Sequence, residues 1–247
     1  MDSVALAHPA VVTDGLAAVL DRPDVWRGDA LSRAGVRAVA SGFRALDTEL
    51  PGGGWPAGAL TEIIAAHEGI GELRLVGPAL AALAQAGERL AWIAPPHLPY
   101  APALAAAGID PAKLIIVSAD RDKDALWAAE QALRANACGA VLAWPPRARY
   151  AELRRLQIAA EGGRALAFVF RPREAARESS PAPLRVAVET DRGGLALSLL
   201  KRRGGPLASP VLLPPMPPSA RHRQPHVDRR TLPAPAARDL PARLAHA

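Results

Sequence analysis

Short apolar runs alternate with longer segments of helical periodicity between residues 42 and 201, and this rhythm constrains the fold more than any other feature. Strand, helix, strand in succession is typical of a parallel sheet with helices on both faces. The runs are apolar throughout, as expected of strands that are buried on both sides. The sequence therefore predicts an α/β fold with a mostly parallel central sheet. The predicted strands are residues 60–64, 90–94, 114–118, 140–144 and 166–170, and the predicted helices are residues 72–86, 101–107, 122–136 and 149–161.

A second strand pattern follows the parallel region. Residues 184–190 and 195–200 both have the pattern of strands, and the turn sequence Asp191-Arg192-Gly193-Gly194 lies between them. Two strands joined by so short a glycine-rich turn are typical of an antiparallel hairpin. We expect this hairpin to close the sheet.

The composition changes twice along the 247 residues. Residues 1–40 carry only a weak amphipathic pattern and predict an arm with a short helix. Residues 41–205 contain the regular alternation and form the predicted core. Residues 206–247 are rich in Pro and Arg and have too few periodic apolar residues to bury, so they predict a flexible tail.

Positive charge is concentrated toward the carboxyl terminus. The net charge of the chain is +6, yet nine basic and two acidic residues lie from Lys201 onward, so the core is nearly neutral. The high isoelectric point of about 10.3 therefore does not mark the whole chain as a nucleic-acid-binding protein.

The basic region supplies candidate contacts with a partner protein or with DNA phosphates. The alternative for the charges at residues 201–203 is simple solvation at a strand end. The apolar cluster at residues 211–213 is either part of a solvated linker or a short peptide that docks on a partner. The candidate contact residues are Lys201, Arg202, Arg203, Val211, Leu212, Leu213, Arg221, Arg223, Arg229 and Arg230.

Several classes of site find no support in the sequence. The single cysteine, Cys138, excludes an intramolecular disulfide and a CxxC motif. The six histidines are scattered without a zinc-binding spacing, so no metal site is predicted. No apolar run is long enough to cross a bilayer, and the amino terminus lacks the pattern of a signal peptide. We expect a cytoplasmic protein.

A glycine-containing loop follows the first predicted strand and precedes the first predicted helix, which is the setting of a P-loop. A working P-loop has the pattern GxxxxGK[ST]. Its backbone N–H groups wrap the phosphates, its lysine neutralises them and its hydroxyl holds magnesium. Here the eight positions are Ala66-His67-Glu68-Gly69-Ile70-Gly71-Glu72-Leu73. Glu72 takes the lysine position, Leu73 takes the hydroxyl position, and only the second glycine, Gly71, is retained.

The acid at the lysine position changes the electrostatics of this loop. Two like charges about 4 Å apart repel by roughly 1–4 kcal/mol at surface-like dielectric constants. Glu68 adds a second negative charge to the same loop. We therefore expect no useful ATP affinity, no cofactor and no ATPase activity.

The segment before the first strand resembles the one that leads into the RecA ATPase core. It comprises Ser41-Gly42-Phe43-Arg44-Ala45-Leu46-Asp47 and then Leu50-Pro51-Gly52-Gly53-Gly54-Trp55-Pro56-Ala57-Gly58-Ala59-Leu60-Thr61-Glu62-Ile63. The resemblance implies a RecA-like core and two further catalytic positions. The glutamate that activates water falls at Pro96, beside a matching histidine, and the Walker B aspartate falls at Trp144.

With every catalytic group replaced, the resemblance implies a pseudo-ATPase with a degenerate nucleotide site. Trp92 and Trp144 lie at strand ends, where they either plug the vacant crevice or offer a stacking surface. The residues of the degenerate site are Ala66, Gly69, Gly71, Glu72, Leu73, Pro96, His97 and Trp144.

Further motifs resemble those of the SulA/ImuA group. The fuller RecA-like leading segment and the long basic tail favour the ImuA family over the shorter SulA type. That resemblance implies a role in SOS-induced translesion synthesis and mutagenesis. The implied partners are a Y-family polymerase-like protein (ImuB), an error-prone replicative-type polymerase and RecA. The motifs are Glu62-Ile63-Ile64, Trp92-Ile93-Ala94-Pro95-Pro96, Ala107-Gly108-Ile109-Asp110, Val141-Leu142-Ala143-Trp144 and Phe168-Val169-Phe170-Arg171-Pro172.

Three other functions stay open at this point. A chain of the SulA type would inhibit cell division by binding the tubulin-like division protein. A DNA-binding module would use the basic tail for weak, salt-sensitive contacts with phosphates. A residual ATPase would need a nucleotide site elsewhere in the chain.

Overall fold

The structure is a computed structural model that describes residues 37–204, 207 and 209–215. Its strands are β1 (Ala38–Val39), β2 (Trp55–Pro56), β3 (Ala59–Ala65), β4 (Leu90–Ile93), β5 (Leu114–Val117), β6 (Ala140–Ala143), β7 (Leu166–Pro172), β8 (Leu184–Asp191), β9 (Gly194–Lys201) and β10 (Val211–Leu213). Its α-helices are α1 (Arg44–Glu49), α2 (Glu72–Gln85), α3 (Ala101–Ala106), α4 (Asp122–Ala135) and α5 (Tyr150–Glu161), and Pro111–Lys113 and Arg173–Arg177 form short 3-10 helices.

Most of these strands form one eight-stranded sheet, in the order β5-β4-β6-β7-β3-β8-β9-β10. Neighbours from β5 through β8 pair in parallel, whereas β9 pairs antiparallel with both β8 and β10. The predicted mostly parallel sheet and the antiparallel hairpin are therefore confirmed. The hairpin does not close the sheet, because β10 pairs with β9 beyond it. Each predicted strand and helix of the core is present, with small shifts at its ends.

The central strand β7 shows how the sheet is covered on both faces. Phe168 and Phe170 pack in the cluster that contains α2, whereas Ala167 and Val169 pack in the cluster that contains α4 and α5. This division follows from the two-residue period of a strand. Among the residues that the structure describes, no helix combines the length and the apolar character needed to cross a bilayer.

Strand β5 departs from the expectation that all parallel strands are buried on both faces. It lies at the edge of the sheet, where only β4 pairs with it. Ile115 and Ile116 are 41% and 39% exposed as a result. Its apolar sequence does not distinguish an edge position from a central one, because that position depends on pairing between distant segments.

The glycine-rich segment before β3 packs the start of the fold. The N–H of Ser41 donates to the Asp47 carboxylate at 2.8 Å, which ties the loop before α1, and Leu46 in α1 is fully buried. Gly54 lies so close to the Val39 carbonyl of β1 that a side chain there would collide with it. Because β1 pairs with β2, the folded region begins before the predicted boundary at residue 41.

At the other end of the core, Val211–Leu213 form β10, within the segment that the sequence predicts as a tail from residue 206. Val211 and Leu213 are buried in the core, and the lack of a side chain at Gly194 leaves room for the Leu213 carbonyl. A run of three apolar residues is too short to show a strand period, so composition suggested a linker. The predicted arm helix and the tail beyond residue 215 lie outside the described residues.

Candidate functional site

The P-loop-like segment lies at the carboxyl edge of the parallel strands, between β3 and α2. Ligands of open α/β sheets bind outside the carboxyl ends of the strands, so this edge is the place to look for a site. Gly69 and Gly71 have φ values of 79° and 113°, in the left-handed region that favours glycine. Gly71 is the residue immediately before α2, so the loop turns directly into the helix.

The carboxylate of Glu72 folds back into this loop. Its Oε1 accepts a hydrogen bond from the Gly69 N–H at 3.0 Å, and its Oε2 accepts one from the Gly71 N–H at 3.1 Å. Glu72 is only 7% exposed and is the first residue of α2, where the helix dipole favours a negative charge. In a working P-loop, backbone N–H groups of this kind bind phosphate oxygens. Here the side chain of the first helical residue accepts hydrogen bonds from two of them.

A cavity of about 410 Å³ lies beside the loop, with Ala66, Glu68 and Glu72 among its lining residues. Trp144 forms another wall, where it stacks on Phe170 with ring centroids 4.7 Å apart and an interplanar angle of 7°. Trp144 is only partly buried, and the cavity remains open beside it. Of the two interpretations of this tryptophan, the geometry favours a wall with a stacking surface over a plug.

Pro96 and His97, which follow β4, are both exposed. The His97 Nε2 lies 3.7 Å from the Glu68 Oε2, so the loop after β4 meets the P-loop-like segment. Pro96, Glu68 and Trp144 line a second cavity of about 420 Å³ at this edge. Leu73 is 38% exposed and lines neither cavity, so this member of the predicted site does not converge with the others.

Three buried charges beneath the site were not recognised in the sequence. Glu62 of β3 is fully buried and accepts hydrogen bonds from the Arg185 Nε at 2.5 Å and from the Arg171 Nη1 at 3.4 Å. Arg171 also donates to the Glu178 carboxylate at 2.8 Å, and it lines the 410 Å³ cavity. The signal in the sequence was a charged residue within the apolar run of each of three strands, because a charge buried there needs a partner.

The predicted basic contacts do not belong to this edge. Because β9 runs antiparallel to β8, Lys201, Arg202 and Arg203 lie at the amino edge of the parallel strands. The Lys201 Nζ donates to the Ser180 carbonyl at 2.9 Å, and an Arg202 Nη1 donates to the Glu49 carboxylate at 3.1 Å.

The remaining predicted contacts divide into three groups. Val211 and Leu213 are buried in the core, so they are not available as a docking peptide. Leu212 is 60% exposed and is still a candidate contact. The predicted contacts in the tail lie outside the described residues; they are Arg221, Arg223, Arg229 and Arg230.

Over the part of the chain that the structure describes, no three His, Cys, Asp or Glu side chains cluster in a way that could hold a metal ion.

Comparison with known proteins gives one partial similarity. No family model matches the chain. Over 100 residues the chain is 33% identical to a protein from Edwardsiella piscicida named cell division inhibitor SulA. The aligned region is 40% of this chain and spans 60% of the length of that SulA. The chain is thus similar to SulA over part of a mixed α/β fold.

Proposed function

We propose that the chain is a non-catalytic, RecA-like accessory protein of the ImuA type, which acts in SOS-induced translesion synthesis and mutagenesis. In this proposal it works in the cytoplasm by binding the Y-family polymerase-like protein ImuB, an error-prone replicative-type polymerase and RecA. The observation that carries the proposal is the Glu72 carboxylate, which occupies the N–H groups of Gly69 and Gly71. A protein whose phosphate-binding donors are already engaged is better suited to binding other proteins than to hydrolysing ATP.

The geometry supports the non-catalytic part in two further ways. A triphosphate entering the loop must displace Glu72 from two hydrogen bonds and then face that carboxylate as a like charge. At the ends of β4 and β6, the positions of the implied catalytic glutamate and Walker B aspartate hold Pro96 and Trp144. Neither side chain can activate water or bind magnesium.

Titration calorimetry with Mg-ATP tests this part. We expect no binding heat from the natural chain. A Glu72→Gln variant keeps most of the side-chain shape and removes the charge. It therefore separates two causes of weak ATP binding: repulsion of the phosphates by the Glu72 carboxylate, and the lack of the P-loop lysine and hydroxyl. A micromolar dissociation constant for the natural chain would refute the proposal.

Two features support the choice of family. The parallel sheet, the glycine loop between β3 and α2 and the antiparallel extension through β10 fit the RecA-like core that the sequence motifs imply. The partial identity to SulA fits the SulA/ImuA resemblance of the same motifs.

Co-purification tests the binding role. The full chain is expressed with tagged ImuB, and RecA and the replicative-type polymerase are detected after DNA damage. Replacing Arg221, Arg223, Arg229 and Arg230 with Ala, in the full chain, tests the tail. A Leu212→Glu variant tests the exposed position of β10, and Ile158→Glu on α5, which is 50% exposed, is its matched control. If the natural chain retains none of the three partners, the binding role fails.

The SulA similarity favours a second candidate function, a cell-division inhibitor that binds the tubulin-like division protein. Overexpression without DNA damage separates the two functions. An inhibitor produces filamentous cells, whereas an accessory protein of translesion synthesis leaves cell length unchanged and lowers damage-induced mutagenesis when it is deleted.

A further inference from the structure

A basic cleft of about 440 Å³ opens at the amino edge of the sheet, opposite the P-loop-like segment. Its floor is formed where β3 and β8 begin, and α5 forms one wall. Four arginines line it: Arg37, Arg154, Arg202 and Arg203. They come from three distant parts of the chain, around residues 37, 154 and 202–203, and only the fold brings these parts together.

The cleft carries positive charge that its own residues do not neutralise. The acid in its lining, Glu161, accepts a hydrogen bond from the Gln157 Nε2 at 2.8 Å. Arg202 pairs with Glu49. In the part of the chain that the structure describes, no carboxylate lies within ion-pairing distance of Arg37, Arg154 or Arg203.

The α5 wall packs closely against the start of β3. Gln157 is 5% exposed, and its Oε1 accepts a hydrogen bond from the Leu60 N–H of β3 at 2.8 Å. Gly58, with a φ of 71°, approaches the Gly163 carbonyl so closely that a side chain would collide with it.

We propose that this cleft binds an acidic, extended peptide segment of a partner protein, whose carboxylates pair with Arg37, Arg154 and Arg203. Guanidinium groups bind carboxylates through two parallel N–H···O hydrogen bonds, which gives both affinity and orientation. The volume lies in the range of pockets that enclose a small ligand or a few side chains. The proposal deepens the binding role proposed above and rests on it only in taking the ligand to be a protein.

The lining favours a peptide over a nucleic acid. Proteins bind single strands by stacking bases on aromatic side chains beside a basic groove. The cleft has no aromatic residue in its lining, whereas Pro51, Pro56, Pro181 and Pro183 give it apolar walls. A few carboxylates on an extended backbone fit such a short, walled cleft better than a phosphate backbone, which needs a long basic track.

Fluorescence polarisation on the full chain tests the proposal. The probe is a short labelled peptide of alternating aspartate and glycine, and its control has asparagine in place of aspartate. The cleft variant is Arg154→Glu with Arg203→Glu, both at exposed positions. The matched control, Lys123→Glu with Arg147→Glu, makes the same change of net charge at exposed positions outside the cleft lining.

We expect the natural chain to bind the aspartate peptide and not the asparagine peptide. The cleft variant should lose affinity by about tenfold or more, and the control variant by less than about twofold. Equal losses in the two variants, or no binding by the natural chain, would overturn the proposal. Tighter binding of a labelled oligothymidylate that depends on the same two arginines would overturn it in favour of nucleic acid. Loss of ImuB co-purification with intact peptide binding would instead count against the proposed function alone.

Discussion

The carboxyl edge and the amino edge of the same sheet differ in how their charges are neutralised. At the carboxyl edge, Glu72 accepts hydrogen bonds from the loop that precedes α2, and in the middle of the sheet below it Glu62 pairs with Arg171 and Arg185. At the amino edge, Arg37, Arg154 and Arg203 face an open cleft with no carboxylate partner in the described residues.

This difference indicates which edge of the sheet is available to bind a partner. The carboxyl edge is the usual ligand site of a parallel sheet. In this chain its anion-binding groups are engaged by the protein's own acids, which contribute to stability. Three arginines without an ion pair in the described residues, Arg37, Arg154 and Arg203, share the cleft at the opposite edge. We therefore expect mutations of Glu62 and Glu72 to lower stability, and mutations of the cleft arginines to lower binding with little effect on stability.

The largest expected effect is at Glu62. A Glu62→Ala substitution leaves Arg171 and Arg185 buried without their shared carboxylate, and breaking a buried pair in this way costs about 3–5 kcal/mol. Urea denaturation followed by circular dichroism measures the free energy of unfolding. A loss below about 1 kcal/mol would show that these three buried charges are not mutually dependent.

A smaller loss of stability is expected at Glu72. A Glu72→Ala substitution removes the acceptor of the Gly69 and Gly71 N–H groups and should cost about 1–3 kcal/mol. Added phosphate or sulfate should restore part of this loss, because an anion can take the vacated N–H groups. The same denaturation measurement, with and without sulfate, checks both expectations; an unchanged midpoint for the variant would contradict them.

Cys138 gives a pH-dependent prediction. It is buried just before β6, and burial raises the pKa of its thiol, with Glu88 adding to the rise and Arg89 opposing it. The unfolded thiol then ionises at a lower pH than the folded one. Its contribution to stability is complete below the unfolded pKa and falls as the pH rises toward the folded pKa, by less than about 1.4 kcal/mol per pH unit.

The measurement is the free energy of unfolding at several alkaline pH values, compared with a Cys138→Ala variant. The natural chain should lose stability more steeply than the variant. Parallel curves would show that the thiol does not contribute.

The smallest effect on stability is expected in the basic cleft. Arg154 is exposed and has no ion pair in the described structure, so Arg154→Gln should change the free energy of unfolding by less than about 0.5 kcal/mol. A loss comparable to that of Glu72→Ala would mean that the cleft arginines stabilise the fold, and the contrast between the two edges would disappear.

Local periodicity in the sequence determined the elements of the core. Alternating apolar runs, helical segments and the glycine-rich turn at residues 191–194 predicted the strands, the helices and the hairpin, because each depends on neighbours within a few residues. The difference between residues 66–73 and the pattern of a working P-loop, with Glu72 and Leu73 at the lysine and hydroxyl positions, was also visible, since that pattern is contiguous.

Only the tertiary structure decided which distant groups meet. The pairing of Glu62 with Arg171 and Arg185 joins three strands, and the basic cleft joins residues more than a hundred positions apart. Strand β10 forms because it pairs with β9 and because Gly194, which has no side chain, leaves room for it. Even the Glu72 contact, though local, depends on the loop geometry that turns the carboxylate inward. Sequence determines which groups are available, whereas chain folding determines which of them neutralise one another and which remain open to a partner.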